Sequence, residues 1–201
     1  RRAPLHPLQP IRLDFHQRGE LGRLVAAEAL DAAPQPTGDA MLAAFYLNEL
    51  VLRLAPRNDP LPDLFGAYAR TREGLRTGHA LAWTLRCFER DLLDAIGFGF
   101  ALDQDGDGQP IDPAARYRLD PEHGPRRLLS DRGHDERSHA ATGRALLALA
   151  SDAPPPPDGL ASLRLALRGV LSHHLGARGL KSWEMIGDLN RLKARRPPTT
   201  T

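Results

Sequence analysis

The sequence predicts an α+β protein that is mainly α: a short N-terminal β segment, then a helical domain with a small irregular insertion. Three observations carry this. Ile11, Leu13 and Phe15 alternate with Arg12 and Asp14, which is the period of a strand. From residue 39 onward, apolar residues recur at helical spacing in successive windows. Residues 98–133 interrupt that pattern with a run dense in Gly, Pro and Asp, the composition of turns.

Leu8–Phe15 and Glu20–Ala26 read as two strands, with His16-Gln17-Arg18-Gly19 as the turn between them. One hairpin cannot bury both of its faces, so it needs further strands or a helical neighbour. Pro34-Gln35-Pro36-Thr37-Gly38 breaks the chain, and Thr37 or Asp39 can cap the helix that begins there. Helices are expected at 39–55, 61–77 and 79–96, with Pro56, Pro60 and Pro62 separating the first two. Inside the insertion, Ala115–Leu119 is strand-like. Helical periodicity returns at 138–150, and Pro154 to Pro157 form a stiff spacer. Helices at 159–175 and 182–192 then lead into a basic, proline-rich, frayed tail. No internal repeat is evident.

The first helix is unusual. In Ala44 to Leu54, residues Asn48, Glu49 and Arg53 fall on one sector and the remainder can be buried. Such a helix is central to a core, and its polar pair must find partners there.

With 201 residues, 41% of them hydrophobic and 26% charged, the chain has the composition of a soluble globular protein of one large domain or two small ones. No apolar run approaches the roughly 18 residues of a membrane span, and no signal peptide opens it. A single cysteine, Cys87, excludes an internal disulfide and any multi-cysteine metal site. A cytoplasmic protein fits. The chain starts with Arg1 in place of Met, which points to a fragment, a processed product or a missing start.

The formal charge of +2 is modest, but its distribution is uneven. Basic residues gather at 1–23 and again at 176–196, around a near-neutral middle, and two basic ends suit a polyanion partner. Arg12, Arg18, Arg23, Arg178 and Lys181 are the candidate phosphate contacts on charge and position.

Sites of chemistry are few. Asp103-Gln104-Asp105-Gly106-Asp107-Gly108 opens like a calcium-binding loop, but Pro110 and Ala114 stand where an aliphatic residue and a bidentate glutamate belong. An acidic turn is expected. His134 and His139 are five apart and His173 and His174 adjacent, neither the spacing that converges on zinc. Cys87 lies inside an amphipathic helix, with no setting that presents it as a nucleophile. No triad signature, phosphate loop or dinucleotide fingerprint appears, so neither an enzyme site nor a cofactor is expected.

On the helix at 79–96, Leu81, Leu85, Phe88, Leu92 and Ala95 form the inward stripe. Arg86 and Arg90 lie opposite, flanked by Trp83 and Leu93. Two arginines beside apolar side chains can grip an acidic, apolar-ended peptide.

The stretches LQPIRLDF, RGELGRLVAAEAL, AFYLNELVLRL, LFGAY, LRCFERDLLDAIGFGFALD, TGRALLALA and LGARGLKSWEMI are individually short. In this order and spacing, across essentially all 201 residues, they resemble the RecO family of bacterial recombination-repair proteins. The resemblance implies an N-terminal OB barrel, here incomplete and represented by its last part at 1–32. A RecO-like helical domain at 33–196 and a disordered tail at 197–201 would come after it. About 40 to 50 residues carrying the first strands are absent, since such a barrel has about five strands. It further implies binding of single- and double-stranded DNA, annealing of complementary strands without nucleotide, and help in loading RecA. Expected partners are RecR and the acidic C-terminal tail of the single-stranded-DNA-binding protein, in the cytoplasm at the nucleoid. Arg86 matches the arginine of the family's LRxFE segment, implicated in holding that tail, with Arg90 and Leu93 beside it. Some relatives carry four zinc-binding cysteines around 103–145. This chain has none there, so that module is metal-free or was replaced by the Asp/Gly turn. Two rivals remain: a helical protein-binding adaptor whose basic ends are incidental, and a calcium-responsive module.

Overall fold

The computed structural model describes residues 6–19, 21–32, 35–78, 80–129 and 139–186. An antiparallel ribbon of β1 (Ile11–Arg18) and β2 (Leu21–Ala29) opens it. Three helices come next: α1 (Gly38–Leu54), α2 (Pro62–Thr77) and α3 (Leu81–Ala95). A three-stranded antiparallel sheet orders β4 (Gly124–Arg127), β3 (Arg116–Asp120) and β5 (Ala141–Thr142) side by side. Helices α4 (Gly143–Ala150) and α5 (Pro157–Leu175), a 3₁₀ turn (Gly176–Arg178) and a last described helix, α6 at 181–186, complete it. The protein is α+β and mainly α.

Local chemistry explains most boundaries. Pro62 sits in the first turn of α2, where a missing N–H costs nothing, and Gly78 ends that helix at φ 70°. Thr142 caps α4 by accepting the Ala145 N–H at 3.2 Å. In α5, Leu163, Ala166, Leu167, Val170 and Leu171 recur at three- and four-residue steps, and all are buried. That helix lies against α1, α3, α4 and the small sheet, so it is the spine of the core.

Several boundaries differ from expectation. β1 runs on through His16, Gln17 and Arg18, because these pair with Arg23, Gly22 and Leu21, so the turn is shorter than the sequence suggests. The insertion is a real sheet, with Tyr117 and Leu119 buried beneath it and Arg116 and Arg118 outside. Helix α4 starts only at Gly143, since Ala141 and Thr142 pair with β3. Gly143 is fixed by space: a Cβ there would lie 2.0 Å from the Asp112 carbonyl oxygen. The expected helix at 182–192 is described only to Ile186, and its remainder, with 130–133 of the insertion, lies outside the described residues.

Helix α1 is half what its sequence implies. Ala43, Ala44, Tyr46, Leu47 and Leu50 are buried, whereas Phe45 is 50% and Leu52 83% exposed. Its polar residues do find partners. Asn48 donates to the Ala44 carbonyl at 2.9 Å and accepts from the Tyr68 hydroxyl at 2.7 Å. Glu49 accepts the N–H groups of Lys181 and Ser182, and Arg53 donates to the Gly179 carbonyl at 3.0 Å. Two charged groups of α1 thus fix the turn that carries α6.

Candidate functional site

The ribbon has two unlike faces. Register puts Arg12 opposite Glu28, His16 opposite Arg23 and Arg18 opposite Leu21. Cross-strand partners share a face, so Arg12, Arg18 and Arg23 project together, with Asp14 and Glu28 among them. Arg12 is tied to Glu28 at 3.2 Å. Arg18 and Arg23 have no ion-pair partner among the described residues. Ile11, Leu13, Phe15 and Leu24 form the other face, with Leu13 45% and Phe15 56% exposed. Among the described residues nothing covers this apolar sheet face, and a contiguous apolar patch of that kind favours a packing partner.

Arg178 lies in the 3₁₀ turn and Lys181 opens α6, both exposed. Only the backbone N–H of Lys181 is engaged, by Glu49 at 2.8 Å.

The structure revises α3. Arg86 is only 5% exposed and Leu93 is buried in the core, so neither stands on a solvated face. The inward set is Arg86, Phe88, Glu89, Leu92 and Leu93, while Leu81, Leu85 and Ala95 are half-buried. The reason is packing on several sides, since α1, α2 and α5 all contact α3. Arg86 tolerates burial because its guanidinium is paired with the Glu89 carboxylate one turn on. Tyr46 on α1 donates to the same Glu89 oxygen at 2.6 Å. Burial pushes the Glu89 carboxyl above its usual range, against the opposing pull of Arg86 and of the Tyr46 hydroxyl. Burial likewise raises the Tyr46 phenol, and the Glu89 charge adds to it. Arg90 faces another way, gripping Asp91 at 2.7 Å and Asp152 at 2.7 Å. The structure therefore does not bring Arg86, Arg90 and Leu93 to one surface.

It brings Arg86 to something else. A groove of about 280 Å³ is walled by Asp39, Leu42, Ala43 and Tyr46 of α1 and by Leu81, Ala82, Leu85, Arg86 and Glu89 of α3. Arg164 and Arg168 of α5, with Trp183 and Ile186 of α6, close its other side. Arg168 lies over the Trp183 ring at 4.5 Å, a cation–π arrangement that holds the guanidinium at the groove edge. Sequence reasoning missed Arg164 and Arg168. Their spacing of four on a helix was the available signal, but nothing in the sequence tied them to α3.

The remaining candidates are structural. Asp105 Oδ1 accepts the N–H groups of Asp107 and Gln109, and Asp107 pairs with Arg126 at 2.6 Å. A guanidinium thus faces the acidic turn, and among the described residues no three His, Cys, Asp or Glu side chains come together as metal ligands do. With no cysteine in 103–145, this insertion offers no thiolate set for the zinc that the family resemblance suggests. His134 lies outside the described residues. His174 stacks on Phe98 at 4.0 Å, and burial, with a smaller effect of the neighbouring His173, lowers its pKa. Burial pushes the Cys87 thiol up to about 11, which leaves it protonated and unreactive near neutral pH.

A helical core with an appended β-ribbon carries a concave groove that is apolar along its lining and cationic along one wall, the kind of surface that receives a ligand. Comparison with known proteins gives the family. Residues 35–184 match the family model "Recombination protein O C terminal". Over 188 residues the chain is 64% identical to DNA repair protein RecO of Stenotrophomonas maltophilia strain K279a, covering 94% of this chain and 78% of that one. The same-named protein of Xanthomonas euvesicatoria pv. vesicatoria is 58% identical over 190 residues, 94% of this chain and 79% of its own. The chain belongs to the RecO family.

Proposed function

We propose that this chain is a DNA repair and recombination mediator that works by binding and not by catalysis. It binds single- and double-stranded DNA, lets complementary strands anneal, and helps to load RecA on strands covered by the single-stranded-DNA-binding protein. RecR is its expected partner, and the nucleoid its place of work. The observation that carries this reading is the ribbon's basic face, where Arg12, Arg18 and Arg23 project together from adjacent strands. Neutralising two phosphate backbones at once removes the repulsion that keeps complementary strands apart. Arg178 and Lys181 extend the cationic surface. The ribbon is read as part of an OB-type barrel, because its apolar face has no cover among the described residues.

The groove supports the protein-binding half of this role. It combines an apolar lining with two exposed arginines, the chemistry that receives an acidic peptide ending in an apolar residue. The acidic tail of the single-stranded-DNA-binding protein is that kind of ligand.

Fluorescence anisotropy with labelled oligonucleotides between about 50 and 200 mM salt tests the DNA reading. Affinity should fall steeply over that range, and Arg18→Ala with Arg23→Ala should flatten the slope by about two. A weak, salt-independent affinity would leave only the helical adaptor.

A further inference from the structure

We infer that the face between α1 and α2 is a two-fold docking surface for a second copy of this chain, with Arg57 of each copy set against Asp59 of the other. This face shares no lining residue with the groove that Trp183 closes.

The face is apolar where a solvated helix pair would be polar. Phe45 is 50%, Leu52 83% and Phe65 76% exposed, and all three border a hollow of about 770 Å³ between the two helices. Phe45 and Leu52 stand two turns apart on one side of α1. Large apolar side chains grouped in this way form an interaction surface. A small polar ligand does not suit it. In the wall of the hollow, the Tyr68 hydroxyl donates to Asn48 at 2.7 Å, so these two groups satisfy each other. Asp59 is the only other polar side chain of the lining, and one carboxylate cannot fix an orientation by itself. The hollow calls for an apolar protein surface.

The face carries its own complement. A two-fold contact presents the same patch from both sides, so what projects from one copy must fit what recedes in the other. Phe65 and Leu52 project, and the hollow recedes beside them. Charge follows the same rule. The turn between α1 and α2 carries Arg57 and Asp59, both exposed and neither in an ion pair among the described residues. Asn58, at φ 63°, turns the chain between them. A two-fold axis passing near Asn58 sets each Arg57 against the Asp59 of its partner, which compensates all four charges. A partner of uniform charge would leave one of the two opposed, and this favours a second copy. The dimer also has a use, which rests on the proposed function although the dimer itself does not. Duplex backbones are related by two-fold symmetry, and a two-fold pair of ribbons can hold one strand each.

Sedimentation equilibrium of the whole chain, without DNA, tests the inference independently of the DNA reading. Between about 1 and 100 µM the mass should move from one chain towards two. Phe65→Ala truncates a projecting aromatic and should weaken self-association at least about tenfold. Its melting temperature should match the wild type, since the side chain is exposed. Arg57→Asp and Asp59→Arg each place like charges across the axis, so each variant alone should stay monomeric. An equimolar mixture of the two restores both opposite pairs and should dimerise. A mass of one chain for the wild type at every concentration overturns the inference. A dimer that survives Phe65→Ala and both reversals overturns it too, because such a dimer is built on another face. If each reversal weakens the dimer but their mixture is no tighter than its components, the pairing of Arg57 with Asp59 across the axis is overturned.

Discussion

The Glu49 carboxylate on α1 accepts the Ser182 N–H at 2.9 Å, and through its other oxygen the Lys181 N–H at 2.8 Å, across more than 130 residues of chain. The first N–H groups of any helix lack partners within it. Here a carboxylate from a distant helix supplies them, and its negative charge suits the positive end of the α6 dipole. The same contact sets the position of Trp183, the next residue, in the groove.

Glu49→Ala should therefore lower stability by about 1 kcal/mol, the usual worth of a helix cap. It should also lower peptide affinity, by releasing Trp183. Urea denaturation measures the first, and quenching of tryptophan fluorescence the second. The pH dependence has a definite sign. Burial raises the Glu49 carboxyl, but the bonds from Ser182 and Lys181 and the nearby Arg53 outweigh it, so its pKa is lowered. A carboxyl lowered by folding contributes stability above its unfolded value of about 4.3 and loses it as pH falls through the folded value. The stability gap between wild type and Glu49→Ala should be full at pH 7 and close on acidification.

The Arg86–Glu89–Tyr46 cluster predicts an ordered series. Arg86→Ala leaves a buried carboxylate unpaired and should cost about 3–5 kcal/mol. Tyr46→Phe removes one hydrogen bond to that carboxylate and should cost about 1 kcal/mol. Equal, small losses in denaturant midpoints would show that Arg86 is not buried as described.

Gly143→Ala tests the insertion's attachment to α4. The added Cβ meets the backbone oxygen of Asp112 and cannot rotate away. A loss of about 1–3 kcal/mol is expected, as for other overpacked sites. A melting curve identical to wild type would place β5 and α4 differently.

Asp120 gives a sharper pH test. Its bond to His123, and then the N–H groups of Glu122 and His123, hold the carboxyl down at about 2. Its ionised form should persist in carboxyl-detected NMR below about pH 3, and His123→Ala should raise the midpoint. The stability linked to it is present above the unfolded value of about 3.9 and fades as pH falls towards 2.

The helices were legible because proline and glycine punctuate them: Pro62 opens α2, Gly78 closes it, and α5 shows its apolar positions at regular steps. The ribbon was legible from alternation, but not its length, since His16 to Arg18 read as a turn until their cross-strand partners are known. Arg86 and Leu93 were misplaced for a physical reason. A helical wheel assigns one buried stripe, and α3 is enclosed by three helices, so its wheel has more than one inside. The burial of Arg86 depends on Tyr46, whose hydroxyl reaches Glu89 from 43 positions away. The i, i+3 spacing of Arg86 and Glu89 hinted at a pair, but not at its depth. Arg164 and Arg168 look like any solvated arginines until α6 folds back beside them, and what holds α6 there is Glu49.

The last prediction separates masked from available charge on the ribbon. Arg12 is engaged by Glu28 at 3.2 Å, with both side chains exposed, whereas Arg18 and Arg23 have no such partner among the described residues. An exposed pair of this kind contributes little to stability, about 0–1 kcal/mol. It does cancel charge where a phosphate would bind. Glu28→Gln should therefore leave the melting temperature nearly unchanged while it strengthens DNA binding and steepens the salt slope by up to about one. Arg12→Ala should cost less affinity than Arg23→Ala, because only the latter removes an uncompensated charge. Oligonucleotide titrations at several salt concentrations measure both. If Glu28→Gln leaves affinity and slope unchanged while Arg178→Ala and Lys181→Ala reduce them, the phosphate path runs along the C-terminal turn and not across the ribbon.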